Sequence, residues 1–132
     1  MDLEILSIAS KTENNKNIKN HTHYSKLKNS LCGDEVQIKL IIKKNKIIDF
    51  GYQGNSCIYC QASASILSKA SINNRKDKIK KLCEDAKNFF EGNFDIFKKK
   101  NLSFKKLFKK KNFSRKECIL LPFNALKKIV SN

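Results

Sequence analysis

Val36, Ile38, Leu40 and Ile42 alternate with Glu35, Gln37, Lys39 and Ile41, and the same period returns at Ile48, Phe50 and Tyr52. A period of two is what a half-buried strand requires, because successive side chains point to opposite faces. The polar run Lys43-Lys44-Asn45-Lys46 between the two stretches is short enough for a tight turn, so residues 36–53 are expected to fold back as a hairpin. A hairpin alone is not stable in water. The rest of the chain has to cover it, and it reads mostly as helix.

Leu3, Ile5, Leu6 and Ile8 suggest a short amphipathic helix that docks on the body, followed by a polar loop or mobile linker over 11–22. Residues 23–29 form a weak first strand. Asn55 or Ser56 is a suitable N-cap for a small-residue helix over 57–71, which Asn73-Asn74 ends. Ile79, Leu82, Cys83, Ala86, Phe89 and Phe90 share one face of a helix over 76–91, with Gly92 where a C′ residue belongs. Residues 93–113 are rich in Phe and Lys. Phe104, Leu107 and Phe108 fit a short helical face within an ordered connector. Ser114 with Glu117 has the spacing of a capping box for a last helix reaching about 130. If that helix begins just after Cys118, Pro122 falls in its first turn, where the missing N–H costs nothing. The order of elements predicts an α+β domain over 23–132, with 1–22 as N-terminal helix and linker and an insertion near 93–113.

Three cysteines stand at the edges of these elements: Cys32 in Leu31-Cys32-Gly33-Asp34, Cys57 at the start of one helix and Cys118 at the start of another. A helix N-terminus favours an anion, which predicts lowered thiol pKa values at Cys57 and Cys118. Three thiolates with Asp34 make four donors, the number that a tetrahedral zinc prefers. Spacing alone fits scattered core cysteines equally well, because no C-x-x-C pair repeats.

Other residues read less sharply. Cys60 shares a helix face with Cys57, and packing is favoured over a role as spare ligand or resolving thiol. Cys83 belongs to the core. His21 and His23 make an H-x-H pair in a polar segment, where an exposed pair is usually incidental. Lys98-Lys99-Lys100 and Lys109-Lys110-Lys111 are solvated faces or a dock for an acidic patch. Arg115 either steers chemistry at Cys118 or supports the helix start.

The charge is +16, from 28 Lys and Arg against 12 Asp and Glu. That balance raises nucleic acid as a partner. Arg75 and Arg115 are the only arginines, however, and Arg is the better reader of phosphates and bases. No apolar run approaches the ~20 residues of a membrane span. The acidic start Met1-Asp2-Leu3-Glu4 lacks the basic region of a secretory signal. Five cysteines, an odd number, fit reduced thiols in a cytoplasm better than a disulfide framework.

Taken together, Cys32-Gly33-Asp34, then Gly54-Asn55-Ser56-Cys57 leading into Gln61-Ala62-Ser63-Ala64-Ser65, then Cys118 before an apolar helix, resemble the iron–sulfur scaffold family of IscU, SufU and the NifU N-terminal domain. The resemblance runs from about 24 to 130. It implies a SufE/NifU-like fold, a three-stranded antiparallel sheet packed against helices. The long gap between Cys57 and Cys118, Glu117 and Arg115 resemble the SufU branch. The Leu-Pro-Pro-Val-Lys chaperone motif of IscU is missing.

The resemblance implies that Cys32, Asp34, Cys57 and Cys118 hold zinc or a transient 2Fe–2S cluster. It implies a SufS-like cysteine desulfurase as sulfur donor and iron–sulfur carrier or recipient proteins downstream. Cys32 is the implied persulfide acceptor, with Cys118 as the alternative. Such a protein is a zinc-dependent sulfurtransferase or a non-enzymatic scaffold. The competing reading is a basic nucleic-acid-binding module with a structural zinc. A stand-alone zinc hydrolase is discounted for want of an evident general base.

Overall fold

The computed structural model describes residues 2–131. Its elements run α1 (Leu3–Ala9), β1 (His23–Lys28), β2 (Glu35–Lys43), β3 (Lys46–Gln53), α2 (Ile58–Ser71), α3 (Lys76–Phe90), α4 (Leu102–Leu107) and α5 (Lys116–Val130), with a 3₁₀ helix at Lys110–Arg115. The strands form one antiparallel sheet in the order β1-β2-β3. This is the expected α+β architecture, a three-stranded sheet packed against helices.

Lys44 and Asn45 both have positive φ, 53° and 62°, which is what a two-residue hairpin turn between β2 and β3 demands. Ile38 faces Tyr52 and Leu40 faces Phe50 across the pair. The register then slips at Ile41/Ile42, where Ile41 pairs with Asp49 and Ile42 with Ile47. That bulge leaves Ile48 as an extra residue and turns it outward, 40% exposed, while Ile47 is fully buried. The alternation placed Ile48 inward and missed Ile47, because an inserted residue inverts every face beyond it.

The buried face of the sheet, Val36, Ile38, Leu40, Ile47, Phe50 and Tyr52, lies under the helices. The expected helices at 57–71 and 76–91 are present to within a residue, and Gly92 takes φ +120° just beyond α3. The Lys/Phe segment closes the core with an aromatic cluster. Phe108 packs on Phe97 at 4.4 Å between ring centroids, on Phe123 of α5 at 5.5 Å, and on Phe89, Phe90 and Phe104.

Asp2 caps α1 by accepting the N–H groups of Glu4 and Ile5, and Ile5, Ile8 and Ala9 are buried. The polar segment 11–22 is a loop tied to the body. The Asn14 carbonyl accepts the Tyr52 N–H, Ser65 donates to the Lys11 carbonyl, and Ile18 is buried over Gly51. A Cβ at Gly51 would overlap the Lys16 carbonyl oxygen, so the loop's path depends on that glycine.

α5 departs from expectation at its start. It begins at Lys116, two residues before Cys118, as a direct continuation of the 3₁₀ helix. Ser114 lies inside that 3₁₀ helix and no side chain caps α5, so the capping box does not form. Pro122 therefore sits in the helix interior, where it cannot bond the Cys118 carbonyl one turn back. The next carbonyl, that of Ile119, accepts the buried hydroxyl of Ser63 from α2. The small residues of α2, with Ala62, Ser63, Ala64 and Ser65 all buried, let α5 approach closely enough for that bond.

Candidate metal and sulfur site

The site forms where two loops and one helix start meet. In the β1–β2 loop, Gly33 takes φ +79°, its N–H bonds the Asn29 carbonyl at 2.8 Å, and the Asn29 N–H bonds the Asp34 carbonyl at 2.7 Å. This tight loop leaves Cys32 exposed and turns Asp34 inward. In the β3–α2 loop, Gly54 takes φ +150° against the Glu35 carbonyl, where no side chain fits. The Glu35 N–H bonds the Asn55 carbonyl at 3.0 Å, which fastens the two loops together. Across them the Cys57 N–H donates to Asp34 Oδ1 at 3.1 Å. Cys57 is itself the N-cap of α2, a position assigned beforehand to Asn55 or Ser56.

The donor atoms of Cys32, Asp34 and Cys118 lie within 4.8 Å of one another. Cys57 is joined to this set through Asp34 and neighbours the Cys118 thiol, but its sulfur falls outside the mutually close three. Thiolates on a tetrahedral zinc stand about 3.8 Å apart, given Zn–S bonds of about 2.3 Å. The three donors stand close to that spacing, and Cys57 adjoins them beside Cys118. Asp34 Oδ2 is buried and has no hydrogen-bond partner, the only such side-chain atom among the described residues. An unpartnered buried carboxylate oxygen among thiols is a donor that suits a cation.

The electrostatics differ from the helix-dipole expectation at Cys118. Burial pushes its thiol well above the usual value, and the neighbouring Cys57 and Asp34 push the same way. Desolvation and adjacent acidic groups outweigh the field of the helix terminus. A bound cation inverts that balance, since it stabilises every anionic donor around it. Burial also pushes the Cys60 thiol up to about 12, with Asp34, Cys57 and Cys32 close enough to add to the effect. Cys83 is buried in the core on α3 and raised likewise to about 12.

Arg115 occupies the N-cap position of α5 without a side-chain capping bond. Its guanidinium lies over the Tyr59 ring, 5.2 Å from the centroid, which clamps the start of α5 to the start of α2. The clamp was not legible beforehand, because nothing in the spacing of Tyr59 and Arg115 pairs them. His21 bonds the Ile18 carbonyl and His23 bonds Thr22, both away from the cysteines. Lys106 and Lys109 reach Glu4, and Lys111 reaches Asp2, so part of the lysine-rich insertion fastens α1.

A three-stranded sheet under helices, with a thiol–carboxylate pocket where its loops meet the last helix, defines an α+β protein built to hold a soft metal or sulfur. Residues 4–91 match the family of the NifU-like N-terminal domain, and the chain belongs to that family. It is 34% identical over 102 residues to the iron–sulfur cluster assembly scaffold protein IscU of Thermotoga maritima, covering 76% of this chain and 70% of that one. Among solved structures, one described as an iron–sulfur cluster assembly scaffold protein for the SUF system of Fervidobacterium islandicum superposes with a TM-score of 0.85. It is 23% identical and covers 97% of this chain and 94% of that one. A NifU-like N-terminal protein of Brucella abortus superposes with a TM-score of 0.79 at 20% identity, covering 98% and 91%. The resemblance read from the three cysteine motifs is borne out in both family and fold. No helix among the described residues is long and apolar enough to cross a membrane.

Proposed function

We propose that this chain is an iron–sulfur cluster assembly protein that takes sulfane sulfur from a cysteine desulfurase and holds zinc or a nascent 2Fe–2S cluster on Cys32, Asp34, Cys57 and Cys118. The observation that carries this reading is the convergence of Cys32, Asp34 and Cys118 to within 4.8 Å, with one oxygen of Asp34 left unpartnered. The bound cation would neutralise the anionic donors and fix their geometry. The chain's own contribution is placement. Asp34 holds the backbone of Cys57 through its N–H, and burial keeps Cys118 out of reach of solvent.

Exposure favours Cys32 over Cys118 as the first sulfur acceptor, because a donor's persulfide has to reach the attacking sulfur. The long Cys57–Cys118 segment, Glu117 and Arg115 favour the SufU branch. The cytoplasm, where thiols stay reduced, is the compartment that suits this chemistry.

Native mass spectrometry with a cysteine desulfurase tests the proposal. Metal, a persulfide on Cys32 and a complex are expected together, with metal lost in Cys57→Ala. Desulfurase stimulation that survives Cys32→Ala would refute relay through that residue. The nucleic-acid reading instead predicts DNA or RNA affinity that falls steeply with salt and ignores Cys57→Ala.

A further inference from the structure

Cys60 is the thiol beside the pocket that the metal reading does not use. It stands three residues after Cys57, and the two bracket the opening turn of α2. Cys57 has extended backbone angles, φ −73° and ψ 169°, and its side chain makes no capping hydrogen bond. Its carbonyl accepts the Gln61 N–H at 3.0 Å, so the turn is closed above it. Cys60 is 1% exposed. It lines a cavity of about 90 Å³ together with Gln53, Gly54 and Ser56.

Side chains three apart on a helix have Cβ atoms about 5–6 Å apart. A disulfide needs about 3.5–4.5 Å. An N-cap residue is not held to helical angles, and the Cys57 thiol is not tied to the backbone, so rotation at Cys57 can close that gap. One thiol at the pocket and a second one sheltered a turn below is the arrangement of an attacked and a resolving cysteine.

We propose that Cys57 and Cys60 form a dithiol pair that reduces sulfane sulfur to sulfide within the protein, an inference that rests on the sulfur-acceptor reading above. Sulfur passed on from Cys32 reaches Cys57 as a persulfide. The Cys60 sulfur then attacks Cys57 Sγ and a Cys57–Cys60 disulfide forms. The bond to the outer sulfur breaks, and its electron pair leaves with that sulfur as hydrosulfide. The proton of the Cys60 thiol goes to the hydrosulfide or to water. Persulfide and thiol thus become disulfide and hydrogen sulfide, with the sulfane sulfur reduced and the cysteine pair oxidised. A small-molecule or protein dithiol resets the pair by exchange.

The step answers a redox need of the chemistry. A desulfurase delivers sulfur at the sulfane level, whereas the bridges of an iron–sulfur cluster are sulfide. Oxidation of the pair also takes Cys57 out of the donor set, so the pocket cannot close on a cluster until the disulfide has been reset. Burial shields Cys60 from oxidants in solution.

The test loads the full, metal-free chain with inorganic polysulfide, and in parallel with desulfurase and cysteine, without added reductant. Released sulfide is measured by colorimetry and the cysteine peptides by mass. Wild type is expected to release sulfide in step with a Cys57–Cys60 disulfide. Cys60→Ser is expected to retain its persulfide and release sulfide roughly tenfold more slowly or less. Cys60→Ala repeats the comparison without a buried hydroxyl. Equal release from wild type and both variants, or a disulfide that maps elsewhere, overturns the proposal. If neither donor places sulfur on any cysteine, the acceptor reading fails and diamide oxidation then judges the pair on its own. A Cys57–Cys60 disulfide forming ahead of any bond to Cys32 or Cys118 supports it, and the absence of that disulfide overturns it.

Discussion

Replacing Asp34 by Asn separates the cost of the pocket from its use. Asp34 Oδ1 accepts the Cys57 N–H at 3.1 Å, while Oδ2 is buried with no partner. Asn keeps the acceptor and the volume, and it puts an amide N–H₂ among the sulfurs where the orphaned oxygen stood. An unsatisfied buried polar atom costs about 1–3 kcal/mol. Cys32 beside it is exposed, so some water reaches the pocket and the lower half of that range applies. The metal-free Asp34→Asn protein is therefore expected to be more stable than wild type by about 1–2 kcal/mol, or about 3–8 °C in Tm for a chain of this size. With zinc the sign reverses. An amide is a poorer ligand than a carboxylate, and a metal affinity reduced about 10–100-fold removes about 1.4–2.7 kcal/mol of linked stabilisation at saturating zinc. Thermal or urea unfolding of both proteins, with chelator and with excess zinc, gives the four measurements needed. If Asn is the less stable without metal, Oδ2 carries no cost. If zinc raises both proteins equally, Asp34 is not a ligand, and the fit of the pocket to a cation loses its main support.

Two further outcomes test the core. Phe108→Ala should cost about 3–5 kcal/mol in urea unfolding, because the ring fills the junction of α3, α4 and α5, whereas Phe113→Ala, at a ring 48% exposed, should stay within about 1 kcal/mol; similar costs would refute the packing argument. Stability should also fall as pH rises from 9 to about 12, since the unfolded chain releases the thiol protons of Cys60 and Cys83 from their ordinary value of 9.0 upward while burial holds them on in the fold. Each thiol contributes a slope of at most about 1.4 kcal/mol per pH unit, and urea midpoints that fall as steeply in Cys83→Ala as in wild type would contradict that assignment.

Elements whose partners are local were legible in the sequence. The hairpin follows from alternation and a two-residue turn, α3 from its apolar face and Gly92, and α1 from a handful of residues. What failed depended on events that leave no local period. The bulge at Ile41/Ile42 inverts Ile47 and Ile48 without changing composition. Pro122 pointed to a helix start after Cys118, whereas α5 begins at Lys116 and runs through the proline, packed closely enough on α2 for Ser63 to bond the Ile119 carbonyl. The cysteine motifs pointed to Cys32, Asp34 and Cys118, which the fold brings together, yet the bond from Cys57 N–H to Asp34 and the Arg115–Tyr59 clamp exist only once two loops and a helix start meet.

The basic charge is the feature most easily misread, and the fold gives it a different weight. Arg115 lies over the Tyr59 ring, while Arg75 pairs at the surface with Asp77 two residues on. Of the two side chains best suited to fork onto phosphates, one is thus occupied in joining the starts of α2 and α5. Lys106, Lys109 and Lys111 converge on Asp2 and Glu4, so the insertion uses its charge to fasten α1 across the aromatic cluster. Exposed ion pairs of this kind contribute little individually and weaken with salt. Packing of Ile5 and Ile8 holds α1 in place, and the lysines select its position. Beside the pocket the exposed surface has another character. Leu31 is 88% exposed immediately before the exposed Cys32. An apolar side chain held out next to a reactive thiol suits a protein partner that covers the pair together, and a polyanion gains nothing from it.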